Sequence, residues 1–453
     1  MKSLKIGLIA ALSVMIIGLC GVLAYGMAGG DVFRNNRRQS YGSAQLVLEE
    51  EIPLGDIDSI SVLYGMNNND VYLYESEKDV MIVREYSSQE MSERELSTIK
   101  VDGNSLEVRG GRRDHNRFGF YLFYSGEAYN RHYTEVYLPS SYQGELLLET
   151  SSGDIAAEMD IALEKDFSVS SSSGDVSFSS VTADNVSVNT ASGYVKIENI
   201  DTNVDSSAGQ ISIRTTSGDV DLEELTGSTD IECSSGNVTV ETITGDTQVR
   251  TSSGDVKIKS LTGEANTESS SGYLWIGALT GNAQLETASG DIEVGYLDGN
   301  VQATTASGNV QMPEGRGDRN ISTSSGNIMA GSTEGSVQVS AQSGCVQIDL
   351  GKGEGSIETA SGDVQLKLGE LTGTLKVNCS SGYADIRLAA ENEFDFMADT
   401  NSGNITTFFD NDLTFSSRRN HAQGTYGANE QGNRIEVETA SGDVKVSKYE
   451  KTN

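Results

Sequence analysis

Hydrophobic and polar residues alternate one by one over most of the chain. After Gly254, the apolar residues Val256 and Ile258 are separated and followed by lysines, and the same phase returns in the segments that follow. An alternation of period two is typical of a β-strand with one buried apolar face and one exposed polar face. No part of the repeated region keeps the period of an amphipathic helix. We therefore expect an all-β protein.

A glycine marker divides this pattern into units of equal length. From Gly218 to Gly362 the marker, which follows a Ser, returns every 18 residues. A second glycine follows each marker by nine residues, as Gly263 follows Gly254. We expect it to lie in a tight turn with positive φ, which glycine adopts without a Cβ penalty. The markers are Gly153, Gly174, Gly193, Gly218, Gly236, Gly254, Gly272, Gly290, Gly308, Gly326, Gly344, Gly362, Gly382, Gly403 and Gly442.

One such unit cannot fold alone. Its large aliphatic side chains contribute roughly 1.5–3 kcal/mol each on burial, whereas ordering the backbone costs on the order of 1–2 kcal/mol per residue. Stacked units share a core, and each strand then pairs in parallel with its copies about 4.8 Å away. The repeat predicts a single-stranded parallel β-solenoid, of the β-helix or β-roll kind, with 18-residue coils. Paired glycines favour two strands per coil, and a three-sided coil is the alternative.

The chain begins with an uncharged segment from Ile6 to Ala28. As a helix it is long enough to span a hydrocarbon core of about 30 Å. We interpret residues 1–28 as an N-terminal transmembrane anchor, with a signal peptide cleaved near Gly26 as the alternative. The C-terminal body is then expected outside the cytoplasm, held by a single pass through the cell membrane.

The rest of the chain divides into four parts. Residues 29–45 form a linker, and residues 46–150 form a β-rich N-terminal cap that covers the edge of the first coil. Residues 151–403 carry the solenoid repeats, and residues 404–453 contain the C-terminal cap with the last coil.

Charge and composition narrow the classes of function. The chain has 32 Lys and Arg against 66 Asp and Glu, for a formal net charge of −34. This excludes a general nucleic-acid binder, which needs cations to displace counterions from phosphates, but it permits loose binding of divalent cations. Three histidines and scattered cysteines predict no zinc site and no histidine-based triad. We expect no cofactor. Cys233 and Cys379 stand where other units have Thr or Ser and are interpreted as small core thiols.

The residue after each marker is most often Asp or Asn. Calcium-binding β-rolls need a GGxGxD pattern at both turns, whereas each turn here has one glycine. In the uniform part of the repeat Asp alternates with other residues, as in Asp219, Asn237 and Asp255. Stacked carboxylates repel one another. We therefore interpret these residues as turn formers that bond to the backbone.

Two features are candidates for contact with a partner. A basic and aromatic segment between Gly111 and Tyr133 is interpreted as a contact loop for lipid head groups, a glycan or a protein, or else as a hairpin that covers the cap. Trp275, beside Tyr273, is expected to face outward, where it could stack on a sugar or be a single exposed aromatic residue. The candidate loop residues are Arg112, Arg113, Arg117, Phe118, Phe120, Tyr121, Phe123, Tyr124 and Arg131.

Several segments resemble a known family. IPLGDIDSISVLYGMNNNDVYLYESEKDVMIVREY, VYLPSSYQGELLLETSSGDI and the iterated SSGDV units are similar to the bacterial DUF4097 family, described as adhesins with β-strand repeats, over about residues 46–449. The resemblance implies a membrane-tethered or exported β-solenoid. It brings no catalytic residues.

We therefore expect a non-enzymatic, membrane-anchored protein outside the cytoplasm, an adhesin or a structural protein of the cell envelope. Its expected partners are the membrane, through the N-terminal helix, and an envelope polymer, a surface glycan or a protein. One alternative is an accessory or sensor protein of an envelope-stress system. Another is a polysaccharide-active β-helix enzyme, which would need Asp and Arg side chains converging in a groove.

Overall fold

The structure, a computed structural model, describes residues 44–65, 68–111, 132–202, 209–332 and 334–450. The chain divides into two units, and nearly all described residues belong to the one formed by Gln45–Phe118 and Arg131–Asn453. The predicted anchor at residues 1–28 lies outside the described residues. Among those that are described, no helix has both the length and the apolar character needed to cross a membrane.

The described residues form 39 strands and one short 3-10 helix. The strands before the repeats are β1 (Gln45–Pro53), β2 (Ser59–Tyr64), β3 (Asp70–Glu75), β4 (Val80–Ser87), β5 (Thr98–Asp102), β6 (Ser105–Arg109) and β7 (His132–Leu138).

The repeats supply β8 (Glu145–Thr150), β9 (Ile155–Ala157), β10 (Ile161–Ala162), β11 (Phe167–Ser171), β12 (Val176–Ala183), β13 (Val186–Thr190), β14 (Val195–Thr202), β15 (Gln210–Thr215), β16 (Val220–Thr226), β17 (Ser228–Cys233), β18 (Val238–Thr244), β19 (Thr247–Thr251), β20 (Val256–Thr262), β21 (Ala265–Ser269), β22 (Leu274–Thr280), β23 (Ala283–Thr287), β24 (Ile292–Asp298), β25 (Val301–Thr305), β26 (Val310–Met312), β27 (Glu314–Arg316), β28 (Arg319–Ser325), β29 (Ile328–Ser332), β30 (Val337–Ser343), β31 (Val346–Ser361), β32 (Val364–Ser381) and β33 (Ala384–Ala389). The C-terminal part contains β34 (Phe394–Ser402), β35 (Ile405–Thr407), the 3-10 helix (Asp410–Asp412), β36 (Leu413–Phe415), β37 (His421–Tyr426), β38 (Arg434–Ser441) and β39 (Val444–Tyr449).

Two parallel ladders run through the repeats. Strand β20 pairs in parallel with β18 and β22, and β21 pairs in parallel with β19 and β23. Each residue stands opposite the residue one repeat further on, so that Ile258 pairs with Ile276. The all-β prediction is confirmed, and the long sheet has the solenoid-like repeat that the glycine spacing predicts.

Strand alternation sets which side chains form the core. Ile258 is fully buried, and its neighbour Lys257 is exposed. The strand then bends, as shown by the consecutive residues Lys259 and Ser260, which both face away from the core. After this bend Leu261 returns to the interior, with 1% of its surface exposed. The predicted phase of inward and outward residues therefore holds across the bend.

Both glycines of a coil lie against the backbone of the neighbouring coil, since a Cβ on Gly263 would lie 2.3 Å from the carbonyl oxygen of Gly245. The second glycine has a further requirement, a positive φ. Gly263 has φ of +143°, as expected for the second glycine of the unit. The marker Gly254 is needed because of the coil below it: a Cβ there would lie 1.7 Å from the carbonyl oxygen of Gly236. Neighbouring coils thus touch backbone to backbone at the marker column, and no side chain fits between them.

At the N-terminal end, stacking order departs from chain order. Strand β2 lies between β6 and β8, and β3 lies between β7 and β9. The coil that contains β2 and β3 is therefore stacked between two coils that come later in the chain. Antiparallel strands complete this end: β4 pairs with β7, β1 pairs with β4, and β5 pairs with β6.

The C-terminal end has the same arrangement. Strand β38 lies between β32 and β34, and β39 lies between β33 and β35. The antiparallel strands β37 and β36 extend the sheet beyond β34. The coil that is last in sequence is therefore inside the stack, and the coil before it lies further out.

One charged side chain lies in the core. Arg319 is 1% exposed and stands in register between Val301 and Val337. Its guanidinium donates hydrogen bonds to the carbonyl oxygens of Gly317, at 2.9 Å, and Glu314, at 3.1 Å. Its Nε has no hydrogen-bond partner among the described residues, and burial lowers the pKa of Arg319 to about 10. The guanidinium of Arg319 is therefore a buried positive charge that is stabilised by two backbone carbonyl groups.

Candidate functional site

The predicted contact loop is not among the described residues. This applies to every loop candidate, namely Arg112, Arg113, Arg117, Phe118, Phe120, Tyr121, Phe123, Tyr124 and Arg131. The loop therefore stays a prediction.

A cluster of tyrosines lies on the strands that flank this segment. Strand β7 pairs with β3 and β4, which places five half-buried tyrosines on one outer face. The rings of Tyr86 and Tyr133 stack with centroids 4.6 Å apart, and those of Tyr74 and Tyr137 stack at 5.2 Å. Tyr72 meets Tyr133 edge-on at 6.1 Å. We call Tyr72, Tyr74, Tyr86, Tyr133 and Tyr137 the tyrosine patch.

Burial and nearby carboxylates raise the pKa of Tyr74, Tyr86 and Tyr137 in the tyrosine patch. The guanidinium of Arg84 lies 4.9 Å from the ring centroid of Tyr137, and the Tyr137 hydroxyl donates to Glu135 at 3.0 Å. Burial and the Glu135 carboxylate raise the pKa of Tyr86 to about 12, and the same two causes raise the pKa of Tyr137. The Tyr137 hydroxyl proton is therefore taken by Glu135, and the Tyr72 hydroxyl donates to Asp70 at 3.3 Å. The patch presents aromatic surface edged by hydroxyl oxygens.

Most of this patch was not predicted from the sequence. Tyr133 entered the prediction only as the end of a basic segment, although Tyr72 and Tyr74 already stand at alternate positions of one strand. Outward tyrosines two residues apart are the signal that could have identified it. The pairing of β3 with β7, which brings the two tyrosine pairs together, has no such signal.

Trp275 and Tyr273 lie on the outer side of the repeats and are half-buried. A Cβ on Gly277 would lie 3.0 Å from an indole carbon of Trp275, so the ring covers this glycine. The Tyr273 hydroxyl donates to the Glu293 carboxylate, and burial and this carboxylate raise the pKa of Tyr273. Both aromatic residues are thus partly occupied by contacts within the chain.

Asp and Asn side chains at the coil corners bond to the next coil. The Asn237 Oδ1 accepts the backbone N–H of Asp255 at 3.0 Å, and the Asp255 Oδ1 accepts that of Tyr273 at 2.9 Å. A second corner repeats this, since the Asn300 Oδ1 accepts the N–H of Asp318 at 2.9 Å. These contacts fit the predicted role in turn geometry. In the described ranges no cluster of three or more His, Cys, Asp or Glu side chains could hold a metal ion.

Inward hydroxyl and thiol groups hold the marker glycines. The Thr251 Oγ1 accepts the N–H of Gly254 at 3.0 Å, and the Cys233 Sγ accepts the N–H of Gly236 at 3.1 Å. Cys379 is buried as well, and burial raises its pKa to about 12. Cys233 and Cys379 are therefore core thiols that stand in for Thr or Ser, as predicted.

A column of amide side chains runs along another outer face. Six consecutive coils place an Asn or Gln at the same register position, where the other coils carry different residues. Part of this column lines a shallow depression of about 550 Å³. We call this set the amide column; its members are Gln248, Asn266, Gln284, Gln302, Asn320 and Gln338.

Comparison with known proteins identifies the family. The profile of the family described as Toastrack DUF4097 matches residues 57–278, 241–349 and 299–447. No curated protein matches the chain. A solved structure described as that of a candidate cell adhesion protein from Clostridium sporogenes is 9% identical, with 90% of this chain and 100% of that chain covered and a TM-score of 0.18. The family matches together span most of the sequence, as the resemblance predicted, and the chain belongs to the DUF4097 (Toastrack) family.

Proposed function

We propose that this protein is a non-enzymatic surface protein, anchored in the cell membrane by residues 1–28, whose single-stranded parallel β-solenoid of 18-residue coils stands outside the cytoplasm and binds another surface of the envelope. The tyrosine patch is the observation that carries the proposal. Tyrosine side chains, which combine an aromatic ring with a polar hydroxyl group, are enriched at protein interfaces. Membership of the DUF4097 family supports a role at the surface.

The location is tested by protease treatment of intact cells that express the full chain with a C-terminal epitope. The proposal predicts that protease removes the epitope from intact cells, or from cells in which the layers outside the cell membrane have been made permeable while the cell membrane itself stays intact. An epitope protected until the cell membrane is broken would contradict the extracytoplasmic location.

The role of the tyrosine patch is tested by binding of the full chain to isolated envelope fractions. Replacing Tyr72, Tyr74 and Tyr137 with Ser should weaken binding at least tenfold. The matched control replaces Tyr194 and Tyr296, which are exposed elsewhere, at 38% and 44%, and should leave binding unchanged. The fluorescence of Trp275, the one tryptophan of the chain, shows whether each variant is folded. Equal effects of the two sets would reject the patch.

The predicted contact loop needs its own test. Ser replacements at Arg112, Arg113, Arg117 and Arg131 should reduce binding of the full chain to vesicles that contain anionic lipid, because they remove the local positive charge. Unchanged binding would remove the loop from the proposal and leave the tyrosine patch in place.

A further inference from the structure

The amide column is ordered by the backbone pairing of the coils. Gln284 pairs with Asn266 on one side and with Gln302 on the other, and Asn320 pairs with Gln302 and Gln338. Neighbouring strands lie about 4.8 Å apart, so the six amides extend over about 24 Å. Gln248 and Asn266 are half-buried, and the other four are exposed.

The fold leaves the hydrogen-bonding groups of this column unused. None of the six side-chain amides bonds to another described residue. The Asn266 Oδ1 is buried and still has no partner in the described part of the chain. Each amide offers two donors and one acceptor. The corner residue Asn300 shows the contrast, because its Oδ1 is taken by the N–H of Asp318.

The neighbouring positions extend the column into an uncharged strip. Thr304, Ser322 and Ser340 stand two residues after the last three amides and face outward on the same strands. In these three coils, the two outward positions therefore carry only amide and hydroxyl side chains. The strip spans these three coils. In the first three coils of the column the same position carries Arg250, Glu268 and Glu286.

The chemistry of the strip selects its ligand. A polyanion would be repelled by the field of the whole protein, and the strip itself has no charge to bind a cation. Sugar hydroxyl groups are both donors and acceptors and match the open donors and acceptors of an amide. A linear glycan presents such groups at regular intervals, as the coils present their amides.

We propose that the amide column binds a neutral linear polysaccharide laid along successive coils. This rests on the proposed function, since it gives the surface partner a chemical class. The column contains no aromatic ring on which a sugar could stack, so each coil contributes little affinity. Binding must therefore increase steeply with the number of linked sugars.

The test uses the full chain in a sugar-free detergent and measures binding by calorimetry. Cellohexaose and a β-1,3-glucan hexamer are the neutral probes, a galacturonic acid hexamer is the acidic probe, and trimers test the length dependence. We expect at least one neutral hexamer to bind, at least tenfold more tightly than its trimer, and the acidic hexamer not to bind. If neither neutral hexamer binds, or if the acidic one binds equally well, the proposal is overturned.

Matched variants locate the site. Ala at Gln284, Gln302 and Gln338 should weaken hexamer binding at least tenfold. Ala at Gln311, Gln347 and Gln365, which are outward glutamines on the other ladder, should have no effect. Loss of hexamer binding in Trp275→Ala, with binding by the column variant unchanged, would place the sugar on that ring and overturn the proposal. Protease accessibility on intact cells is measured separately, so failure here leaves the proposed location standing.

Discussion

Asn300 and Gln302 stand two residues apart in one coil and carry the same functional group, yet the fold treats them differently. Asn300 lies at a corner, where its Oδ1 accepts a backbone N–H from the next coil. Gln302 lies on the adjoining face, where its amide bonds to no described residue. Corners are where the chain turns and where backbone N–H groups lose their ladder partners. Position on the coil, rather than residue type, therefore separates structural amides from available ones.

The corners combine three devices that the faces lack. Marker glycines let neighbouring coils touch through their backbones, inward Thr or Ser groups accept the glycine N–H, and Asp or Asn side chains bond to the next coil. The faces carry side-chain columns whose inward members pack and whose outward members vary. We therefore expect changes at corners to reduce stability, and changes on outer faces to reduce binding.

The largest difference is expected between Gly254→Ala and Lys257→Ala. The new methyl group at Gly254 would overlap the Gly236 carbonyl oxygen, and relieving this should reduce stability by roughly 3 kcal/mol or more. Lys257 is exposed, and its loss should change stability by less than about 0.5 kcal/mol. Urea unfolding followed by Trp275 fluorescence measures both. Equal tolerance of the two changes would break the comparison.

Two buried threonines should respond in opposite directions to the same replacement. Thr251→Val leaves the Gly254 N–H without its acceptor and should destabilise the neighbouring coils by about 1–3 kcal/mol. The Thr267 hydroxyl is buried between Val249 and Leu285 in the ladder and has no partner in the described chain. Thr267→Val should stabilise the protein by about 1 kcal/mol. Shifts of the same sign in urea unfolding would contradict this assignment.

The repeat itself could be predicted from the sequence, because its signals are local. Alternation around Ile258 gives the inward phase. The glycine spacing gives the register, since parallel copies of one sequence bury their apolar faces only when they pair in register. Asp255 and Asn237 were correctly interpreted through the short reach of their side chains to the backbone. Each inference needed only one coil and its copy.

The ends of the stack could not be predicted in the same way. Strands β2 and β38 look like any other coil strand, and nothing in their residues shows that they insert between coils distant from them in the chain. The tyrosine patch depends on a pairing of the same inserted N-terminal coil, that of β3 with β7. The burial of Arg319 could not be predicted either, because this residue occupies an inward position and its neighbours keep their normal alternation.

A smaller effect is expected in the pKa of a corner carboxylate. The N–H and the hydroxyl of Ser336 both donate to the Asp318 Oδ1 at 2.8 Å and lower the pKa of Asp318. A lowered pKa means that this contact adds stability above the unfolded pKa of about 3.9 and loses it as pH falls through the folded value. Ser336→Ala should raise the pKa of Asp318 part of the way to normal in an NMR titration. An unchanged pKa would show that the hydroxyl has no role.

The most direct measurement of the difference between corner and face compares two double variants in the same coils. Asn282→Ala with Asn300→Ala removes acceptors for the backbone N–H groups of Asn300 and Asp318, whereas Gln284→Ala with Gln302→Ala removes two members of the amide column. In urea unfolding followed by Trp275 fluorescence, the first should lose about 2 kcal/mol, at about 1 kcal/mol per hydrogen bond, and the second less than about 0.5 kcal/mol. Equal losses, or a larger loss in the glutamine variant, would contradict the claim that the fold uses the corner amides and leaves the face amides free.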